Sequence, residues 1–111
     1  MKKILFFTMG SLLLFSIVFA INKGNENITL DGGRRGKVPF PHRLHQNKLA
    51  DDCNVCHHIF PQQIGIIKQM ISEKKLKGKE VMNTQCIKCH KQLRKKNKPH
   101  GPTSCSQCHE K

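Results

Sequence analysis

Hydrophobic positions occur in one long block at the start of the chain and afterwards only in short, scattered sets. Ile4 to Phe19 is apolar apart from Thr8, Gly10, Ser11 and Ser16, with Lys2 and Lys3 before it and Val18 and Ala20 at its end. A positive start, an apolar stretch and a small-residue cleavage site mark a secretory signal peptide. The stretch is short for a bilayer-spanning helix of about 20 residues. Residues 1–20 are therefore expected to be a cleaved export signal directing the chain to the periplasm, with no stable membrane span afterwards.

Beyond that block the pattern is broken and predicts small elements. Residues 21–36 are rich in Asn and Gly and read as a flexible N-terminal lead. Within and after it, Ile28 to Leu30, a turn at Asp31-Gly32-Gly33, and Lys37 to Phe40 are expected to pair as a short β-hairpin. Pro41 suits the first position of a short helix carrying His42 and His45. Ile64, Ile67 and Ile71 repeat at helical spacing, and with Pro61 before them and Gly78 after them they predict a helix over 61–77. Residues 91–104 are basic and turn-rich and read as a solvated connector. No apolar run is long enough for a larger sheet. The fold class expected is small and mostly irregular, with short α-helices and an N-terminal β-hairpin.

Composition sharpens this picture. The chain has 111 residues, 20 Lys and Arg against seven Asp and Glu, six Phe, and no Trp or Tyr. Removing residues 1–20 takes away Lys2, Lys3 and four of the Phe, leaving 91 residues with a net charge of +11 and only Phe40 and Phe60 as aromatic carbon side chains. A domain of this size is marginal even with a good core, so a staple or a cofactor must fill the middle. The strong positive balance favours acidic partner surfaces. Nucleic acid is excluded as a target by the exported context and by the lack of Tyr and Trp for base stacking.

All six cysteines belong to one short repeat: Cys53-Asn54-Val55-Cys56-His57, Cys86-Ile87-Lys88-Cys89-His90 and Cys105-Ser106-Gln107-Cys108-His109. C-x-x-C-H is the attachment sequence of c-type haem. Two cysteines three positions apart share a helical face, from which their sulfurs reach the two vinyl groups of one porphyrin, and the histidine that follows is carried beneath the ring as proximal ligand. Disulfides would use six cysteines in an exported chain but do not require a histidine after each pair. Zinc ribbons use two C-x-x-C units per metal, and three units leave one over. Three covalent haems are expected, held by Cys53, Cys56, Cys86, Cys89, Cys105 and Cys108, with His57, His90 and His109 on the irons; residues 37–111 form the triheme domain. Four histidines remain as possible distal ligands: His42, His45, His58 and His100.

Three features together resemble the triheme cytochromes c7, small relatives of tetraheme cytochrome c3 among the class III multihaem c-type cytochromes. They are the stretch Phe40-Pro41-His42-Arg43-Leu44-His45-Gln46, the three C-x-x-C-H units and the ending Gly101-Pro102-Thr103-Ser104-Cys105. The resemblance runs from about Gly36 to Lys111 and implies a haem-cored cytochrome c3/c7-like fold. It also implies that His42 is distal ligand to the first haem and His45 to the second. In that family the last haem takes a histidine four residues before the middle motif, where this chain has Met82. Thioether sulfur also binds haem iron, raising its potential above a bis-histidine site, so Met82 is the preferred third ligand, with His58 and His100 as alternatives.

The function expected is periplasmic electron transfer between redox partners in anaerobic respiration, by a monomer that is not an enzyme and docks on acidic protein surfaces. The alternative is a small redox enzyme reducing a metal ion or oxyanion at an incompletely ligated third haem.

Overall fold

The computed structural model describes residues 21–111; the expected export signal lies outside them. Two three-residue strands, β1 (Ile28–Leu30) and β2 (Val38–Phe40), pair antiparallel in the register Ile28↔Phe40, Thr29↔Pro39, Leu30↔Val38. The alternation is that of a half-buried hairpin: Ile28, Leu30, Val38 and Phe40 turn inward and Thr29 and Pro39 outward. Asp31 closes the turn by accepting the Gly33 N–H at 2.9 Å, the Asx geometry that favours Asp at turn starts. A single 3₁₀ turn, Gly33–Arg35, follows, and Gly36 then reverses the chain at φ 96°, ψ −178°, a region essentially open to glycine alone.

Helix α1 spans His42–Lys48, with Pro41 as its N-cap rather than its first helical residue. The N-terminal lead is hydrogen-bonded onto α1. Gln46 donates to the Lys23 carbonyl at 2.8 Å, the Arg43 guanidinium to the Gly24 carbonyl at 3.2 Å, and Lys23 pairs with Asp51 at 2.8 Å. Ala50 and Asp51, both at positive φ, turn the chain into α2 (Asn54–His57).

The helix expected over 61–77 is shorter, α3 (Ile66–Ser72). Gly65, at φ 75°, stops it at one end and Lys74, at φ 59°, at the other. Ile64 is 93% exposed, so the isoleucine spacing has no facing surface to hold its first member in a helix; packing of an apolar face, more than propensity, stabilises short helices.

The longest helical stretch was not legible in the sequence. It begins as α4 (Gly78–Glu80), widens into a π-helical turn over Val81–Cys86, and continues as α5 (Ile87–Lys95). Residues 91–95 of the expected connector are therefore helical, and the irregular chain starts at Lys96, where Asn97 takes positive φ. A last turn, α6 (Cys105–Cys108), starts at a capping box between Ser104 and Gln107. The C-terminus returns to the hairpin, the Glu110 N–H donating to the Lys37 carbonyl at 2.8 Å.

Among the described residues the only buried apolar side chains are Phe60 and Val81, and none of any kind is fully buried. The elements' own side chains thus build almost no core. No helix among the described residues is long and apolar enough to cross a membrane.

Candidate metal centres

Each C-x-x-C-H unit lies on a helical turn: Cys53 to His57 on α2 and its N-cap, Cys86 to His90 at the junction of the π-turn with α5, and Cys105 to His109 on α6 and its C-cap. No disulfide joins any of the six cysteines. Burial pushes Cys86 up to about 11, with the neighbouring Cys56 and Cys108 sulfurs acting in the same direction. Burial likewise raises Cys56 and Cys108. The three motifs therefore converge on one region. Gln85 holds two of them together by donating to the Val55 carbonyl at 2.5 Å.

The histidines pair across this region. His42 of α1 faces His57 with ring centroids 6.2 Å apart and planes at 85°. His45, one turn on, faces His90, also at 6.2 Å, with planes at 30°. The i, i+3 spacing on α1 lets one helix serve two different motifs. Two imidazoles bonded to one metal at about 2.0 Å each would set their ring centroids roughly 6.3 Å apart, so both pairs are spaced to hold an ion between them.

The ring nitrogens agree with this reading. Nδ1 of His42 donates to the Asn25 carbonyl at 2.8 Å, that of His45 to Pro41 at 2.9 Å, that of His57 to Phe60 at 2.6 Å, and that of His90 to Pro102 at 2.6 Å. A proton held on Nδ1 by a carbonyl leaves Nε2 with its lone pair free, the arrangement found around metal-bound histidines.

The third site has the same proximal half and a different partner. His109 Nδ1 donates to the Gly36 carbonyl at 3.2 Å, and its Nε2 lies 3.5 Å from the sulfur of Met82. A metal bonded to both would set N and S roughly 4.3 Å apart. The thioether has to yield by less than an ångström, within reach of its three rotatable bonds. Met82 reaches His109 from the π-turn, where the Ile87 N–H bonds back to the Met82 carbonyl, five residues earlier. The wider turn swings Met82 relative to Cys86; π-turns of this kind concentrate at functional sites. His58 and His100 are exposed, and their Nδ1 atoms bond to Asn54 and Gly101. Among the described residues neither ring stacks on another aromatic ring.

Beside the third motif lies an open pocket of about 620 Å³ lined by Arg34, Arg35, Cys105, Ser106, His109 and Lys111. A planar group held by Cys105 and His109 would adjoin this space.

Several positioning residues escaped the sequence reading. Phe40 stacks on His45 at 4.4 Å. A side-chain carbon at Gly101 would sit 2.5 Å from the His90 ring, and one at Gly32 2.5 Å from His109 Nδ1. The Gly-rich turn around 32–36 is recognisable as a turn, but nothing local shows that it touches a histidine 73 positions away.

The class III cytochrome C family model matches residues 18–109. The chain belongs to the class III cytochrome c family. Among solved structures it is similar to PpcC, a cytochrome c7 from Geobacter sulfurreducens, at 28% identity over 78% of this chain and 99% of that one, TM-score 0.55. Two further structures, from work on the triheme cytochrome family of the same organism, align at 29% identity over 78% of this chain and all of theirs. Their TM-scores are 0.53 and 0.54, the second being a mutant of the triheme cytochrome PpcA. A comparison with curated protein sequences finds no match. The short helices and two-stranded sheet are those of a cytochrome c7. This cytochrome carries c-type haems, one for each of its three attachment motifs, and transfers electrons.

Proposed function

We propose that this cytochrome is a periplasmic carrier passing single electrons between protein partners in anaerobic respiration. Its three irons would lie between His42 and His57, His45 and His90, and Met82 and His109. The observation that carries this reading is the pairing: two imidazole pairs at 6.2 Å and a thioether facing the third imidazole. Haem supplies one-electron redox chemistry without making or breaking bonds to a substrate. The protein's part is to hold ligands on both faces of each site. The Nδ1–H···O=C bonds fix each ring's rotation and turn Nε2 toward the site. Phe40 and Gly101 pack against His45 and His90 and limit their movement. A third iron bonded to both His109 and Met82 would leave no position for a metal ion or oxyanion to bind there. The carrier reading is therefore favoured over the reductase.

The purified holoprotein is expected to give three haems per chain in a haemochrome assay, to show a His–Met charge-transfer band, and to bind carbon monoxide slowly when fully reduced. Rapid carbon monoxide binding would indicate an open iron and restore the reductase reading.

Lys88, Lys91, Arg94, Lys95, Lys96 and Lys98 are all exposed on α5 and the segment after it, and we assign this face to docking on acidic redox proteins. Opposite charges steer association, and salt screens them beyond about 8 Å at 0.15 M. Transfer to an acidic partner should slow severalfold between low and physiological ionic strength; a flat salt response would remove the steering role.

A further inference from the structure

The turn that closes the hairpin carries two arginines that the hairpin itself does not use. Arg34 and Arg35 form the 3₁₀ turn with Gly33. Both are exposed, and the ion pairs among the described residues, Lys23–Asp51 and Lys75–Glu73, leave them out. Asp31, the nearest acid in sequence, uses a carboxylate oxygen to accept the Gly33 N–H. The two arginines line the same pocket as Cys105, Ser106, His109 and Lys111, and no acidic side chain lines it.

This placement is fixed by backbone. Gly36, at φ 96° and ψ −178°, folds the turn back on the C-terminal motif. Its carbonyl accepts the His109 Nδ1–H, and the next residue's carbonyl accepts the Glu110 N–H. The arginine-bearing turn and the third motif therefore move as one piece.

We propose that Arg34 and Arg35 are potential-setting residues of the third haem. This rests on the reading that Cys105, Cys108 and His109 hold a haem. Reduction lowers the positive charge at an iron by one, so nearby fixed cations favour the ferrous state. Guanidinium serves this role at any working pH because it does not lose its proton, and charge and solvent exposure around the group are among the levers by which a protein tunes it. The thioether of Met82 acts on the same iron in the same direction. Both effects would raise the potential of the third haem.

The test is the double variant Arg34→Gln/Arg35→Gln as holoprotein, with each haem's reduction followed through its own NMR signals during a redox titration. At the potential where the wild-type third haem is half reduced, its ferrous-to-ferric ratio should fall by roughly threefold or more at low salt. The first two haems should change less, and the effect should shrink as salt is added. Arg34→Lys/Arg35→Lys keeps the charge and should titrate as wild type. Lys68→Gln/Lys74→Gln removes two charges outside the pocket and should leave the third haem's ratio unchanged. An unchanged ratio in the double Gln variant, an equal shift at all three haems, or the same shift in the Lys68/Lys74 control overturns the proposal. If the double Gln variant loads fewer haems, the single Gln variants are read by the same criteria. Fewer than three haems in the wild type overturns the proposal through the reading beneath it, and the haem count tells the two failures apart.

Discussion

Met82→His should convert the third haem to a bis-histidine site, abolish the His–Met charge-transfer band and lower that haem's midpoint potential by on the order of 100 mV or more. With Met82 on the iron, exchanging thioether for imidazole would remove an axial ligand that favours the ferrous state. Each 59 mV or so is a tenfold change in a one-electron equilibrium, so the third haem would lose its preference for the electron. The geometry singles out this residue: its sulfur is 3.5 Å from His109 Nε2, whereas His58 and His100 are exposed and bonded locally. Voltammetry and the near-infrared spectrum read the outcome. Unchanged potentials would show that Met82 is not the ligand, and the absence of the band from the wild type as well would return the choice to His58 and His100.

The second large effect is expected at a residue that touches no haem ligand with a side chain of its own. Gly36→Ala should destabilise the holoprotein by about 2–4 kcal/mol, from backbone strain of about 1–3 kcal/mol plus the displacement of the Glu110 backbone that a new side-chain carbon would strike. For a domain of this size that lowers the melting temperature by roughly 10–25 °C. The loss should be accompanied by a broadened or altered spectrum of the third haem, because the Gly36 carbonyl orients His109. Gly33→Ala is the comparison. Gly33 also has positive φ, but nothing lies within 4 Å of its missing side chain, so it should cost less and leave that spectrum alone. Equal effects of the two substitutions would show strain alone and deny Gly36 any role at the iron.

The elements that the sequence reading located well are those governed by neighbouring residues. The hairpin was legible because Asp-Gly-Gly dictates a turn and the flanking apolar residues alternate. The helix carrying His42 and His45 was legible because a proline next to a helix is tolerated only at its start. Elements decided by remote contacts were missed. The helix expected over 61–77 lost its first turn because nothing packs on Ile64, and it ends early where Lys74 takes positive φ. The π-turn at Val81–Cys86 has no compositional mark, since its residues would be unremarkable in an α-helix.

By itself, the sequence determined the chemistry. Three C-x-x-C-H units specify three covalent haems by order and spacing alone, because attachment is a local matter of two sulfurs and one imidazole on a single turn. Histidine spacing on α1 also put two imidazoles on one helical face. The tertiary structure decided which side chain stands opposite each proximal histidine. His42 faces His57, His45 faces His90, and a π-turn aims Met82 at His109 from 27 positions away. It also decided that a glycine-rich turn would set two arginines at the rim of the pocket beside the last motif. The reason is that a distal ligand and a field of charge act through space. Their partners are selected by how the chain closes around its haems, and that closure is set by contacts far apart in the sequence.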